Sequence, residues 1–360
     1  MMTLSEQYMH RCLELASLGA GHVAPNPMVG AVLVYEDRII GEGYHQQYGK
    51  AHAEVNCVNS VKDEDRHLIP SATLYVSLEP CAHFGKTPPC ADLIIREKIK
   101  KVVVGCRDPF KQVDGRGIEK LRNAGVEVIT DVLNEQCKLH NKRFFTFHTQ
   151  YRPYIILKWA QTADGRIAAA TSSQRLLISN EYTNRLVHRW RSEEPAILIA
   201  TNTALNDNPR LNTRLWPGKN PLRLVIDMDL RLPASLHIYD KLQPTVVFNK
   251  HQHSLDFNVK LSEPANDLLG YYQVTEDVSI VQQVMNACYQ MNIQSVLVEG
   301  GARLLQSFIE EDTWDEARII TNENLTIGEG LAAPVLSKAL HNSTEQYFTD
   351  KINYFTRIHE

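Results

Sequence analysis

The stretch His52-Ala53-Glu54, followed by Pro80-Cys81 and then Pro89-Cys90, decides how the first half of this chain is to be read. One imidazole and two thiolates supply three ligands, the count a catalytic zinc takes while its fourth position stays open to water. Two thiolates offset the metal's charge, yet water on such a centre still loses its proton far more readily than bulk water. Glu54 lies two residues past the histidine, so it cannot approach the metal at the same angle and is placed to carry a proton. A closed structural site would want a fourth thiolate or imidazole, for which His83 is the nearby candidate. Such sites rarely carry a histidine followed two residues later by glutamate. The residue set therefore points to hydrolytic deamination.

Outward from this set, Ala31-Val32-Leu33-Val34 and Thr73-Leu74-Tyr75-Val76-Ser77-Leu78 read as buried strands, and Ala53 to Val61 and Ala91 to Lys98 as helices. His52 and Cys90 then stand at or near helix starts with Cys81 in the loop between, where unpaired backbone N–H groups favour thiolate over thiol. Alternation of strands and helices continues through Lys101-Val102-Val103-Val104-Gly105 and Val126-Glu127-Val128-Ile129. Leu139 to Phe147 reads as a closing helix or an extended tail. Tyr151-Arg152-Pro153 opens a new strand, Tyr154 to Trp159, and the proline marks a boundary that predicts domains over residues 1–150 and 151–360.

The second half carries its own buried strands at Ala196 to Ala200, Leu222 to Asp227, Thr245 to Phe248 and Ser295 to Glu299, with a helical stretch over Ile280 to Tyr289. This is a second α/β pattern. No strand runs into G-x-G-x-x-G, so a nicotinamide cofactor must use another phosphate cradle. Glu299-Gly300-Gly301, leading from a strand into the helical pattern of Arg303 to Ile309, is suited to that: glycines permit close approach and a helix start offers free N–H donors. A plain turn would use the same glycines.

With 360 residues there is material for two cores, and 43% hydrophobic content with a formal charge of -4 describes a globular protein. No run approaches the roughly 18 apolar residues of a membrane span, and Met1 to Gly21 lacks the apolar core of a signal peptide. Seven cysteines, an odd number, argue against a secreted disulfide framework. The expectation is a cytoplasmic protein without a membrane partner.

Longer motifs give a resemblance. Pro25-Asn26-Pro27-Met28-Val29-Gly30, Gly41-Glu42-Gly43-Tyr44-His45, His52-Ala53-Glu54 and Glu79-Pro80-Cys81-Ala82-His83-Phe84-Gly85-Lys86-Thr87-Pro88-Pro89-Cys90 resemble the bifunctional riboflavin-biosynthesis deaminase/reductase family. Cytidine and tRNA-adenosine deaminases generally leave two residues between their zinc cysteines, whereas eight stand between Cys81 and Cys90 here. The resemblance implies a cytidine-deaminase-like α/β/α domain followed by a dihydrofolate-reductase-like α/β domain. It also implies zinc and NADPH as cofactors, a phosphorylated pyrimidine as small-molecule substrate, and a homo-oligomer. The reaction implied is deamination of a diaminopyrimidinone ribosyl phosphate, with Glu54 carrying the protons, and then reduction of the ribosyl to a ribityl chain.

Residue by residue, the resemblance assigns His52, Cys81 and Cys90 to zinc and Asn26 to the deaminase substrate; an Asn-Pro turn is the alternative for Asn26. In the second half, Lys158 to Arg166 resembles the opening strand and loop, and Asp207-Asn208-Pro209-Arg210-Leu211 lies in a matching segment. Lys158, Arg175, Arg191, Leu211, Arg214 and Glu299 correspond to reductase-substrate contacts. Ala160, Thr203, Asp207, Gly301, Ala302, Arg303, Leu304, Leu305, Gln306 and Ser307 correspond to cofactor contacts. Guanidinium groups suit phosphate, so Arg191 and Arg214 are expected to hold the ribose 5'-phosphate. Three departures stand out: Arg175-Leu176-Leu177-Ile178-Ser179 where the family often has Ser-x-Trp-Ile-Thr, Met228 in place of a serine, and Asp108-Pro109-Phe110-Lys111 in place of Asp-Pro-Asn-Pro.

Two other classes fit parts of the pattern. The zinc set alone also suits a nucleic-acid base deaminase with an RNA-binding second half, but a net charge of -4 without a Lys/Arg cluster interleaved with aromatics argues against nucleic acid. A non-catalytic zinc scaffold would have no use for Glu54.

Overall fold

The computed structural model describes residues 2–85, 88–111, 113–170, 176–256 and 268–358. Its contacts separate two compact units, Met1–Tyr151 and Arg152–Glu360.

In the first unit, α1 (Leu4–Ser17) begins at a capping box in which Thr3 and Glu6 satisfy each other's backbone N–H groups. Strands β1 (Gly30–Tyr35), β2 (Arg38–Tyr44), β3 (Thr73–Leu78), β4 (Lys101–Cys106) and β5 (Glu127–Ile129) form a sheet in the order β2-β1-β3-β4-β5. β1 is antiparallel to both its neighbours, whereas β3, β4 and β5 run parallel. Parallel strands need crossover helices, and α3 (Cys90–Arg96) and α4 (Arg116–Asn123) supply them. Val102, Val103 and Val104 are all buried because both faces of the sheet are covered. Leu33, Leu74, Val76, Ile94 and Leu121 pack on one side together with Cys57 of α2 (Ala53–Asn59). Met9, Cys12, Val32, Val103 and Phe144 pack on the other.

The expected single closing element at Leu139 to Phe147 is two helices, α5 (Asn134–His140) and α6 (Lys142–Gln150). Asn141 breaks them and uses its buried amide on the loop before β1: Oδ1 accepts from Met28 N at 2.8 Å and Nδ2 donates to Met28 O at 2.9 Å.

The second unit is built on β6 (Tyr154–Thr162), β8 (Ala196–Ala200), β9 (Leu222–Ile226), β10 (Thr245–Asn249), β11 (Leu269–Gln273), β12 (Ser295–Val298), β13 (Glu316–Asn322), β15 (Ala339–Tyr347) and β16 (Asp350–Arg357), while β7 (Arg166–Ala169) and β14 (Gly330–Ala332) pair separately. The large sheet runs β11-β10-β9-β8-β12-β6-β13-β16-β15, parallel except where β16 and β15 add an antiparallel hairpin. Ile155, Ile156 and Leu157 of β6 are wholly buried, each contributing roughly 1.5–3 kcal/mol relative to exposure. Helices α7 (Glu181–Glu193), α8 (Thr201–Asp207), α9 (Ile280–Gln290) and α10 (Ala302–Glu310) complete the unit. Among the described residues no helix is long and apolar enough to cross a membrane.

Candidate active sites

In the first unit, β3 ends at Leu78 and the chain turns through Pro80 to Cys81, while α2 and α3 deliver His52 and Cys90 at their starts. His52 is the N-cap residue of α2 and Cys90 the first residue of α3. His52 Nδ1 lies 3.6 Å from Cys81 Sγ and 3.3 Å from Cys90 Sγ, and the three donor atoms are all within 4.8 Å of one another. The Cys90 backbone N–H donates to Cys81 Sγ at 3.3 Å, and the Ala91 N–H donates to the Cys81 carbonyl at 3.1 Å. The Cys90 side chain and then the His52 ring stabilise the Cys81 thiolate, holding its pKa well below the ordinary thiol value. A nitrogen and two sulfurs at this spacing fit zinc with a vacant coordination position, so the residues present suit the metal.

Glu54, one helical residue past Ala53, is buried, and among the described residues its Oε2 has no hydrogen-bond partner. Burial raises its pKa, helped by the neighbouring Cys81. A carboxyl group that can hold a proton beside a metal pocket is equipped to pass one.

His45 closes the motif Gly41-Glu42-Gly43-Tyr44-His45, and nothing in the sequence alone assigns it a role. The structure places its ring edge-on to His52 with centroids 5.3 Å apart. Its Nε2 lies 3.1 Å from Asn26 Nδ2 and its Nδ1 3.0 Å from the Ala51 carbonyl. The amide nitrogen and the carbonyl fix the direction of both bonds: Nδ1–H donates to Ala51 and Nε2 accepts from Asn26. Desolvation lowers the His45 pKa and keeps this neutral form. Asn26 is thus more than a turn residue, since its side chain is oriented by an imidazole that packs on His52. A histidine at the end of β2 carries no local signal of such a contact; only the fold brings residues 26, 45 and 52 together.

In the second unit, one cavity of about 660 Å³ gathers residues from β6, α7, α8 and the end of β12. Lys158, Arg191, Leu211, Arg214 and Glu299 of the expected substrate set line it. So do Ala160, Thr203, Asp207, Gly301 and Leu305 of the expected cofactor set. Arg175 lies outside the described residues. Leu177, which stands where the family often has an indole, is 74% exposed at the cavity wall, while Met228 does not line it.

The side chains of the rest of the expected cofactor segment point away from this cavity. Ala302, Arg303, Leu304, Gln306 and Ser307 do not line the cavity, because the helical period of α10 turns them elsewhere. Leu304 packs in the core, Ser307 Oγ donates back to the Arg303 carbonyl at 3.0 Å, and Gln306 Oε1 accepts from Val335 N at 2.9 Å. What this segment can offer a phosphate is the backbone of its first turn, where Ala302, Arg303 and Leu304 precede the first possible helical acceptor. The two glycines divide the work. A Cβ on Gly300 would lie 2.7 Å from Ile199 Cα, so the close approach there is to β8, whereas Gly301 takes a positive φ of 58° to enter α10.

Arg191 lines the cavity with its fork already engaged. Its Nε donates to Glu299 Oε1 at 2.7 Å and its Nη2 to Glu299 Oε2 at 2.8 Å, and Nη1 reaches the Asn212 carbonyl at 3.3 Å. The forked edge expected to grip phosphate is turned onto a carboxylate. Lys158 Nζ stands 3.7 Å from the same carboxylate. Burial opposes the Glu299 charge, but Arg191 and Lys158 outweigh it and hold its pKa to about 2. Arg214 is exposed at the cavity rim and donates to Asn212 Oδ1 at 3.0 Å.

A nitrogen–sulfur metal pocket with an adjacent buried carboxyl group, and a second α/β unit with a charged cavity at the carboxyl ends of its strands, define a metal-dependent deaminase joined to a second enzyme. Residues 2–106 match the cytidine and deoxycytidylate deaminase zinc-binding region, and residues 153–340 match the RibD C-terminal domain. The riboflavin biosynthesis protein RibD of Aquifex aeolicus is 40% identical over 331 residues, covering 91% of this chain and 89% of that protein. RibD of Bacillus amyloliquefaciens is 36% identical over 93% of this chain and 88% of its own. Among solved structures, the diaminohydroxyphosphoribosylaminopyrimidine deaminase/5-amino-6-(5-phosphoribosylamino)uracil reductase of Thermotoga maritima superposes with a TM-score of 0.85 at 35% identity, covering 98% of this chain and 99% of that one. The chain belongs to the bifunctional deaminase/reductase family of riboflavin biosynthesis, with zinc serving the first activity and NADPH the second.

Proposed function

We propose that residues 1–150 remove the exocyclic 2-amino group of 2,5-diamino-6-(5-phosphoribosylamino)pyrimidin-4(3H)-one as ammonia. Residues 151–360 then reduce the ribosyl group of the product to ribityl, giving 5-amino-6-(5-phosphoribitylamino)uracil. The observation that carries the first step is the buried Glu54 carboxyl beside His52, Cys81 and Cys90, with one oxygen unpartnered among the described residues. Zinc, when bound by those three residues, supplies the Lewis acidity that makes water a nucleophile at neutral pH. Glu54 would relay the two protons of that water in turn, the first to the ring nitrogen and the second, released as the carbonyl forms, to the amine, which departs as ammonia. Asn26, oriented by His45, binds the pyrimidine edge.

For the second step, NADPH supplies the hydride that reduces C1' of the open-chain sugar. Thr203, Asp207, Gly301 and the first turn of α10 hold the cofactor, while Lys158, Arg191, Leu211, Arg214 and Glu299 position the sugar phosphate. Arg214 at the rim is the better placed of the two arginines for the phosphate, since Glu299 occupies the Arg191 fork. The protein acts in the cytoplasm as a homo-oligomer on a small molecule, without nucleic acid; the net charge of -4 supports that last point.

Mass spectrometry of the diaminopyrimidinone ribosyl phosphate, incubated with the zinc-loaded chain and NADPH, tests both steps. Exchange of amine for carbonyl plus two hydrogens is the expected result. Unchanged substrate would overturn the proposal, and exchange alone would confine it to the first unit.

A further inference from the structure

Asn322 and Asp350 face each other across two strands of the large sheet, one closing β13 and the other opening β16. Their side chains reach beyond the sheet to one stretch of chain. Asn322 Nδ2 donates to the Ile178 carbonyl at 2.7 Å, and Asp350 Oδ2 accepts from the Asn180 N–H at 2.8 Å. Asn180 answers with its own amide: Nδ2 donates to the Tyr347 carbonyl at 2.8 Å, while Oδ1 caps α7 by accepting from Thr183 N at 3.0 Å. Asp350 is wholly buried. The stretch so held forms neither strand nor helix, and Leu176, Leu177, Ile178 and Ser179 all line the cavity of about 660 Å³. A segment without a ladder of its own takes its position from whatever satisfies its backbone groups. Here those partners include a matched pair of side chains from the sheet.

We propose that Asp350, together with Asn322, is a positioning residue of the reductase: through Asn180 and Ile178 the two set the 176–179 wall and the start of α7, and so the seat of the phosphorylated sugar. This rests on the reading of the cavity given under Proposed function. Neither residue lines the cavity itself. α7 turns Asn184, Val187 and Arg191 into it, steps of three and four residues that keep one helical face inward. A helix capped by Asn180 inherits the placement of Asn180. The held stretch is also the one in which Leu177 stands where the family often has an indole. Anchoring by backbone groups is indifferent to that side chain, so the wall keeps its place despite the departure. A misplacement of about 1 Å in such a wall costs on the order of a hundredfold in rate.

Asp350→Leu fills much the same space without an acceptor and strands the Asn180 N–H. Asp350→Asn keeps an oxygen for that N–H and turns its amide toward Thr349 Oγ1, which bonds the other carboxyl oxygen at 3.1 Å. In the full zinc-loaded chain, with the deaminated phosphoribosyl pyrimidine and NADPH, Asp350→Leu is expected to lower kcat/KM for reduction about tenfold to a hundredfold. Asp350→Asn should stay near the parent, and deamination should be unchanged in both. Val284→Ala, a core truncation in α9, supplies the comparison: a lowered melting temperature with kcat/KM for reduction kept. Asn322→Ala removes the other half of the clamp, should lower kcat/KM in the same direction, and carries the test should Asp350→Leu fail to fold. Parent-like kcat/KM in either clamp variant, or an equal loss in Asp350→Asn, would overturn the inference and leave the clamp a matter of stability. Hydrogen exchange read over residues 176–184 tests the clamp without any ligand. It should be faster at Asn180 in Asp350→Leu, and unchanged exchange would overturn the inference as well. A parent chain that does not reduce the substrate would instead overturn the reading of the cavity, and the exchange result keeps the two failures apart.

Discussion

Arg191 and Glu299 meet fork to fork, with Nε–Oε1 at 2.7 Å and Nη2–Oε2 at 2.8 Å, and both side chains are almost wholly withdrawn from solvent. α7 and the end of β12 are joined by this pair in the wall of the reductase cavity, so its charge state bears on fold and site together.

The Glu299 pKa of about 2 lies below its ordinary value of 4.5. The folded carboxylate therefore resists protonation while the unfolded one accepts it, and the stabilisation is complete above pH 4.5 and fades as pH falls toward 2. A shift of this size corresponds to something on the order of 3 kcal/mol. Thermal unfolding at pH 7, 4 and 2.5 should show the parent losing its margin over Glu299→Gln across that window. A constant difference between the two would contradict the ion-pair account.

Glu54→Gln should lower the rate of deamination by about two to four orders of magnitude, while zinc content, measured by atomic absorption, stays at the parent level. Reduction of pre-deaminated substrate by NADPH should be untouched. Removing zinc with a chelator should produce the same split between the two activities. Loss of zinc in the glutamine variant would make Glu54 a ligand instead.

Glu79 is buried and accepts four backbone N–H groups: Asp108 at 3.3 Å, Gly115 at 3.0 Å, Gly117 at 3.0 Å and Ile118 at 3.2 Å. It anchors the Pro80-Cys81 turn to the segment that opens α4. Glu79→Ala would strand those donors, at a cost of at least about 3 kcal/mol, and should weaken zinc retention by displacing Cys81. Gly117→Ala should act in the same direction, because its Cβ would come 1.9 Å from the Pro80 carbonyl oxygen. Denaturant melts with zinc release followed in parallel would show the two changes together; full zinc retention in a destabilised Glu79→Ala would sever the link.

Gly300→Ala forces a methyl to within 2.7 Å of Ile199 Cα and 3.1 Å of Ala200 N, both main-chain atoms. The strain of about 1–3 kcal/mol should push α10 away from β8 and raise the KM for NADPH. A variant with parent-like KM would show that the α10 start does not hold the cofactor.

The zinc pocket was legible in the sequence because its chemistry is carried by residue types at fixed local offsets. His52 and Cys90 fall at helix starts as the patterns of Ala53 to Val61 and Ala91 to Lys98 predict. The continuous apolar runs of β3, β4, β6, β8 and β12 were legible for the same reason, since a strand covered on both faces has no polar side to confuse its pattern. β15 was not. Ala339–Tyr347 is exposed along most of its length and its polar composition gives no strand signal; pairing with β16 makes it a strand. Side-chain partnership was equally hidden: Arg191 looked available for phosphate until the fold delivered Glu299 from 108 residues away.

The match to the deaminase zinc-binding region stops at residue 106, yet Asn141 reaches back to clasp Met28 by both backbone groups. The loop that presents Asn26 is therefore sewn in place by chain that the recognisable module does not include. Anyone transplanting this deaminase, or trimming it to a minimal catalyst, would find the excisable piece longer than the piece that can be recognised: a cut at residue 106 would spare every metal-pocket donor and unfasten the wall of the pocket.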